Sequence, residues 1–72
     1  MTPAERIARA VRHAVADHYQ PVDLYPYIIG LAERPLLEAT LRRYGGNLSR
    51  AAVALGINRN TLRKKMREHK IV

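Results

Sequence analysis

Two glycine–asparagine segments, Gly45-Gly46-Asn47 and Gly56-Ile57-Asn58, constrain the fold of this chain more than any other feature. Glycine adopts the left-handed conformation that ends a helix without steric cost, and asparagine is a preferred N-cap for the helix that follows. The first segment therefore ends one helix and begins another, which Gly56 ends after barely two turns. The pattern predicts a third helix from about Leu48 to Leu55 and a fourth from Arg59 to about His69.

The apolar residues of these two short helices are spaced for packing against each other. In the third helix they recur at intervals of three and four residues, at Leu48, Ala51, Ala52 and Leu55. Alanine lets two steeply crossing helices approach closely, and Leu62 and Met66 form the buried pair of the fourth helix. Two short helices joined by a tight turn predict a helix-turn-helix.

Two longer helices precede this unit. Thr2, Pro3 and Glu5 form a capping-box signature, which predicts a first helix from Pro3 to Tyr19 or Gln20. Asp23 is a plausible N-cap for a second helix over residues 24–44. Pro35 lies inside that helix and predicts a kink near Leu31 to Arg34, because proline removes one backbone hydrogen bond.

The length of the chain, 72 residues without cysteine, limits it to one small domain whose folded monomer is marginal. The second helix is apolar on more than one face, so one face needs a partner, most simply a second copy. We expect one all-α domain over residues 1–72, with dimerisation helices in 1–44 and the helix-turn-helix in 45–72. The expected homodimer interface contains Ile7, Val11, Val15, Leu24, Ile28, Leu31 and Leu37.

Positive charge is concentrated in the second half of the chain. Residues 1–41 carry four basic and five acidic side chains, whereas residues 42–72 carry nine basic and one acidic, so the net charge of +7 arises in the second half. This asymmetry is typical of proteins that bind nucleic acid or another anionic surface. A solvated basic face is the alternative interpretation.

The fourth helix carries Arg59, Arg63 and Arg67 at four-residue intervals, a stripe suited to the major groove of DNA. Asn58 and Arg59, near its N-terminus, are the candidates for reading bases. The remaining candidates hold phosphates or, on the fourth helix, flank the bases, although Asn47 and Asn58 are also explicable as helix caps alone. The expected DNA-binding residues are Asn47, Ser49, Arg50, Asn58, Arg59, Thr61, Arg63, Lys64, Lys65 and Arg67.

Other functional classes are disfavoured. The absence of cysteine and the five-residue spacing of His13 and His18 argue against a metal site, and no nucleophile, histidine and carboxylate are arranged for catalysis. We therefore expect that the protein is not an enzyme and that it binds no cofactor and no small-molecule substrate. The apolar run from Leu24 to Ala32 is too short to span a membrane, and no secretory signal is evident, so a cytoplasmic location is expected.

Three segments, Glu33 to Leu41, Gly45 to Ala52 and Gly56 to Lys65, closely resemble the Fis family of bacterial nucleoid-associated proteins and the related C-terminal domain of NtrC-type activators. The resemblance covers roughly residues 24–72 and includes Pro35. It implies an intertwined homodimer in the nucleoid that bends double-stranded DNA and acts in transcription or chromosome organisation. The DNA-binding residues named above match those of the family.

Two departures from the family pattern are evident. The chain starts directly ahead of its first helix, where Fis carries an N-terminal arm that touches recombinases, and Glu68 replaces a residue that is usually basic. Two alternatives stay open: the isolated DNA-binding domain of an NtrC-type activator, and a basic module that binds a protein partner or an anionic membrane.

Overall fold

A computed structural model describes residues 1–18 and 23–71, which form four α-helices and contain no strand. The helices are α1 (Pro3–Asp17), α2 (Leu24–Arg43), α3 (Leu48–Leu55) and α4 (Arg59–Glu68). The predicted all-α class is confirmed. Across the described ranges, none of the helices combines the length and the apolar character needed to cross a membrane.

The chain divides into two compact units, unit 1 (Met1–Ala32) and unit 2 (Glu33–Val72). The boundary lies inside α2, ahead of the subdivision at 44/45 that the sequence suggests. The physical reason is that Leu37 and Leu41, in the second half of α2, pack with residues of α3 and α4. That half of α2 is therefore part of the helix-turn-helix unit.

Helix α1 begins with the predicted capping box. The hydroxyl of Thr2 accepts the N–H of Glu5 at 3.1 Å, and the Glu5 carboxylate accepts the N–H of Thr2 at 3.1 Å. These bonds hold the pKa of Glu5 below its ordinary value, because they favour the charged carboxylate. The helix ends at Asp17, earlier than predicted, since the backbone of His18 is extended. Residues 19 and 20, the predicted end, lie outside the described residues.

Helix α2 begins after Asp23, whose carbonyl accepts the N–H of Tyr27 at 3.1 Å as an N-cap carbonyl does. Its φ of 59° is left-handed, however, rather than the extended conformation expected of an N-cap. The helix continues through Pro35 without a break. The kink near Leu31 to Arg34 stays a prediction.

The core of unit 2 consists of five buried aliphatic side chains contributed by α2, α3 and α4. They are Leu37, Leu41, Ala51, Ala52 and Leu62. Burial of each leucine contributes about 1.5–3 kcal/mol to folding. Leu37 was expected in the dimer interface, but it is only 2% exposed and packs inside its own chain.

Helices α2, α3 and α4 all end in the same hydrogen-bonded turn. The N–H groups of Gly46, Ile57 and Ile71 bond to the carbonyls five residues back, on Leu41, Ala52 and Met66, at 2.8–3.0 Å. The residue before each donor is left-handed, with φ of 60° at Gly45, 73° at Gly56 and 55° at Lys70. The first two turns are at the predicted glycines; the third places a lysine in a conformation that favours glycine.

Replacing Lys70 by glycine should therefore stabilise the protein. We expect Lys70→Gly to raise the free energy of unfolding by about 1 kcal/mol, because the left-handed conformation is strained for a residue with a Cβ atom. Urea unfolding at a fixed chain concentration measures the change. Lys70→Ala is the matched control, since it removes the same charge and keeps the Cβ; an equal gain in both variants would contradict the backbone explanation.

Candidate nucleic-acid interface

Helices α3 and α4 are joined by three residues, Gly56, Ile57 and Asn58. The left-handed Gly56 turns the chain, and Ile57 packs against the core of unit 2. Ala51, which is fully buried, and Ala52 provide the small surface that the sequence predicts where helices pack closely. The predicted helix-turn-helix is therefore present in the structure.

The outer face of α4 is basic. We call Arg59, Arg63, Lys64 and Arg67 the basic face; all four side chains are exposed. Leu62 is 0% exposed and Met66 is half-buried, so the opposite side of the same helix packs into unit 2. Leu62 and Lys64 are two residues apart, about 200° around the helix. Burial of the apolar side thus directs the cations to solvent.

Both helices begin with an asparagine cap, as predicted. The amide oxygen of Asn47 accepts the N–H of Arg50 at 3.0 Å, and that of Asn58 accepts the N–H of Asn60 at 2.7 Å. Capping occupies the oxygen of each side chain, and its NH₂ group is the part that can donate to a ligand. Both asparagines are exposed. The cap and the contact with DNA are therefore compatible roles.

The other candidates fall into two groups. Ser49 and Arg50, in the first turn of α3, and Thr61, in the first turn of α4, are exposed. Helix N-termini carry free N–H groups that suit anions, so these positions are appropriate for phosphate. Lys65 differs, because its side chain is only 32% exposed and its Nζ lies 2.8 Å from Oε2 of Glu33.

Glu33 links the end of α4 to α2 through two contacts. Besides Lys65, the Nε2 atom of His69 lies 2.8 Å from Oε1 of Glu33; a carboxylate only accepts, so the imidazole donates. Next to it, the guanidinium of Arg34 donates to the carbonyl of His69. The side chain of Glu33 is 22% exposed. These three contacts tie the C-terminal end of α4 to α2.

These contacts change the pKa values of Glu33 and Lys65. The hydrogen bond from Lys65, followed by the one from His69, holds the pKa of Glu33 below its ordinary value of 4.5. The bond to Glu33 in turn raises the pKa of Lys65. Both shifts favour the charged forms, so the ion pair persists between mildly acidic and alkaline pH.

Sequence reasoning did not find the roles of Glu33, Arg34 and His69. The available signal was the four-residue spacing of Lys65 and His69, which puts both on one side of α4, next to the apolar residues. A lysine ammonium beside a buried surface needs an anionic partner. That partner is Glu33, which lies 32 residues before Lys65 and 36 residues before His69 in the sequence, so no local pattern identifies it.

A second surface lies in unit 1, between α1 and the first half of α2. A groove of about 230 Å³ is lined by Ile7, Ala10, Val11, Ala14, Ile28, Leu31 and Ala32. Ile7 is 63% exposed, and within the described residues no side chain of α1 is buried. The groove gathers four of the expected dimer residues, namely Ile7, Val11, Ile28 and Leu31; Val15 is exposed and Leu24 half-buried.

The model of the family described as "Bacterial regulatory protein, Fis family" matches residues 29–69, which include the second half of α2 and the whole helix-turn-helix. The chain belongs to the Fis family. The predicted resemblance is thereby confirmed, and the matched segment contains every residue of the basic face together with Glu33 and His69.

Individual relatives agree with this assignment. A "Putative Fis-like DNA-binding protein" of Neisseria meningitidis serogroup A is 46% identical over 50 residues, covering 69% of this chain and 63% of the relative. The "DNA-binding protein Fis" of Glaesserella parasuis is 39% identical over 90% of this chain and 68% of the relative. A Fis-like protein of Ralstonia nicotianae is 41% identical, covering 88% of this chain and 90% of the relative. The Fis-family chain thus spans less than two thirds of the Neisseria protein's length.

Removal of the Glu33 charge should make stability less dependent on pH. We expect Glu33→Gln to lower the free energy of unfolding at pH 7 by roughly 1 kcal/mol. The pKa of Glu33 is lowered in the folded state, so its contribution is fully present above the ordinary value of 4.5 and is lost as the pH falls through the folded pKa. Thermal unfolding from pH 7 to 3 should show the two proteins converging.

Glu38→Gln is the control for this measurement. It removes the same charge from the same helix, where Glu38 pairs only loosely with Arg34, at 3.6 Å. A loss at pH 7 as large as that of Glu33→Gln, or a loss in Glu33→Gln that persists at pH 3, would contradict the assigned role of the ion pair.

Proposed function

We propose that this protein binds double-stranded DNA, with α4 in the major groove. The observation that carries the proposal is the basic face, four exposed cations on one side of the second helix of a helix-turn-helix. Helices of this kind present N-terminal residues to base edges and flanking residues to phosphates. The names of the Fis and Fis-like DNA-binding relatives support the same function.

Within this interface, Asn58 and Arg59 read bases, since they stand at the N-terminal end of α4. The guanidinium of Arg59 fits the two acceptors of guanine in the major groove. Arg63, Lys64 and Arg67 hold phosphates along the helix. Asn47, Ser49, Arg50 and Thr61 hold phosphates near the N-termini of α3 and α4, where backbone N–H groups add to the attraction.

We further propose that the protein acts as a homodimer. The apolar groove of unit 1 supports this, because an exposed apolar surface on so small a chain is stabilised when a second copy covers it. Two recognition helices on one dimer contact DNA at two places, and the resemblance to the Fis family favours a bent duplex between them. The proposed role is transcription regulation or nucleoid organisation in the cytoplasm, without catalysis.

Two substitutions on α4 separate base reading from phosphate binding. We expect Arg59→Ala to cost about 1 to 3 kcal/mol and to relax preference at one base pair, because it removes a bidentate contact. Lys64→Ala should weaken binding to every sequence alike and reduce the salt slope by about one. Anisotropy titrations on a matched and a scrambled duplex measure both effects; equal losses on both duplexes for both variants would reject the division of roles.

A charge placed in the groove of unit 1 should prevent dimerisation. We expect sedimentation equilibrium at micromolar concentration to give the mass of two chains, and Val11→Glu to give that of one, because a buried unpaired carboxylate is costly. Ala16→Glu is the matched control on α1. Ala16 is exposed and lies about two and a half turns from Ile7, on the opposite side of the helix.

A monomeric mass for the unsubstituted chain would contradict the proposed homodimer. The same conclusion would follow if Val11→Glu and Ala16→Glu had the same mass. Circular dichroism of both variants shows whether the helix content of the chain is retained.

A further inference from the structure

Lys65 is set apart from the basic face by its surroundings. It follows Lys64 directly, but α4 turns by about 100° per residue, so its side chain lies toward α2 rather than toward solvent. Its ammonium is 2.8 Å from the Glu33 carboxylate. Among the described basic residues of α4, Lys65 is the one that forms an ion pair. The cation that the sequence assigns to DNA is therefore already paired.

Glu33 is held in position independently of Lys65. Its other oxygen accepts the hydrogen bond from His69 at 2.8 Å, and the neighbouring Arg34 bonds to the carbonyl of the same histidine. A carboxylate anchored in this way remains beside Lys65 when the lysine side chain moves. A phosphate that approaches Lys65 must compete with a fixed anion at contact distance.

We propose that Glu33 is a built-in counter-ion that withholds Lys65 from the DNA backbone and thereby limits the sequence-independent part of DNA affinity. The inference rests on the proposed function. Each phosphate that a free cation neutralises releases counterions from DNA and strengthens binding to all sequences. A cation already neutralised by a carboxylate releases none.

This arrangement moderates the attraction of the chain to any DNA. A half-chain with a net charge of +8 attracts any duplex, and excess non-specific DNA competes with the correct site. The pairing of Lys65 with Glu33 removes one phosphate contact from the complex with any duplex, so it lowers affinity for every sequence by the same factor. The base contacts at the N-terminus of α4 are unaffected. Glu33 thus limits the sequence-independent part of DNA affinity through Lys65, without touching DNA.

The test compares Glu33→Gln with Glu38→Gln. Both variants remove one negative charge from α2, but Glu38 contacts Arg34 on its own helix, at 3.6 Å. We expect Glu33→Gln to bind a scrambled duplex several-fold more tightly and to steepen the plot of log affinity against log salt by about 0.9 per protomer. Its ratio of specific to non-specific affinity should stay the same, because a phosphate contact is common to both duplexes. Glu38→Gln should leave the slope unchanged.

Glu33→Ala serves as a second variant, because the amide oxygen of glutamine can still accept a hydrogen bond from Lys65. It should steepen the slope at least as much as Glu33→Gln. The proposal would be overturned if the salt slope were the same in the unsubstituted chain, both Glu33 variants and Glu38→Gln. It would also be overturned if both Glu33 variants bound every duplex more weakly than the unsubstituted chain.

Lys65→Gln completes a double-mutant cycle with Glu33→Gln, and as a single variant it does not depend on the folding of the Glu33 variants. Alone it should leave the salt slope unchanged; in the Glu33→Gln background it should return the slope to that of the unsubstituted chain. A shallower slope for Lys65→Gln alone would overturn the proposal while leaving DNA binding intact. Failure of the unsubstituted chain to bind either duplex at low salt would instead overturn the proposed function and this inference together.

Discussion

The packing of Ala51 and Ala52 against leucines of α2 and α4 is the contact on which the rest of unit 2 depends. Both alanines are buried in one cluster with Leu37, Leu41 and Leu62. Close approach of helices requires small side chains, and a larger residue at either position would force strained rotamers or move the helices. The orientation of α4, and hence the direction of its basic face, follows from this contact.

Electrostatics complements that apolar contact. The core fixes the N-terminal and central parts of α4 through Leu62, and the pairs that Glu33 forms with Lys65 and His69 fix its C-terminal end. These pairs are partly exposed, so their net stabilisation is small compared with that of the core. Their larger consequence is the distribution of charge: the Lys65 ammonium lies toward α2, whereas the basic face remains in solvent.

Much of the fold was predictable from local signals. Thr2, Asn47 and Asn58 were identified as N-caps, and Gly45 and Gly56 as helix ends, because caps and left-handed glycines act over a few residues. The prediction was poorer near Asp23, whose backbone is left-handed rather than extended, and at the end of α1. The positive φ of Lys70 had no signal in the sequence, since lysine does not favour that conformation.

The sequence by itself determined the four helices, the helix-turn-helix and the basic character of α4, because each depends on periodicity, caps and composition within a short segment. The tertiary structure alone decided where Leu37 and Lys65 belong. Leu37 lies in the core rather than in the exposed groove of unit 1, and Lys65 pairs with Glu33 rather than joining the basic face. Both outcomes depend on contacts between helices distant in sequence, which no local pattern specifies.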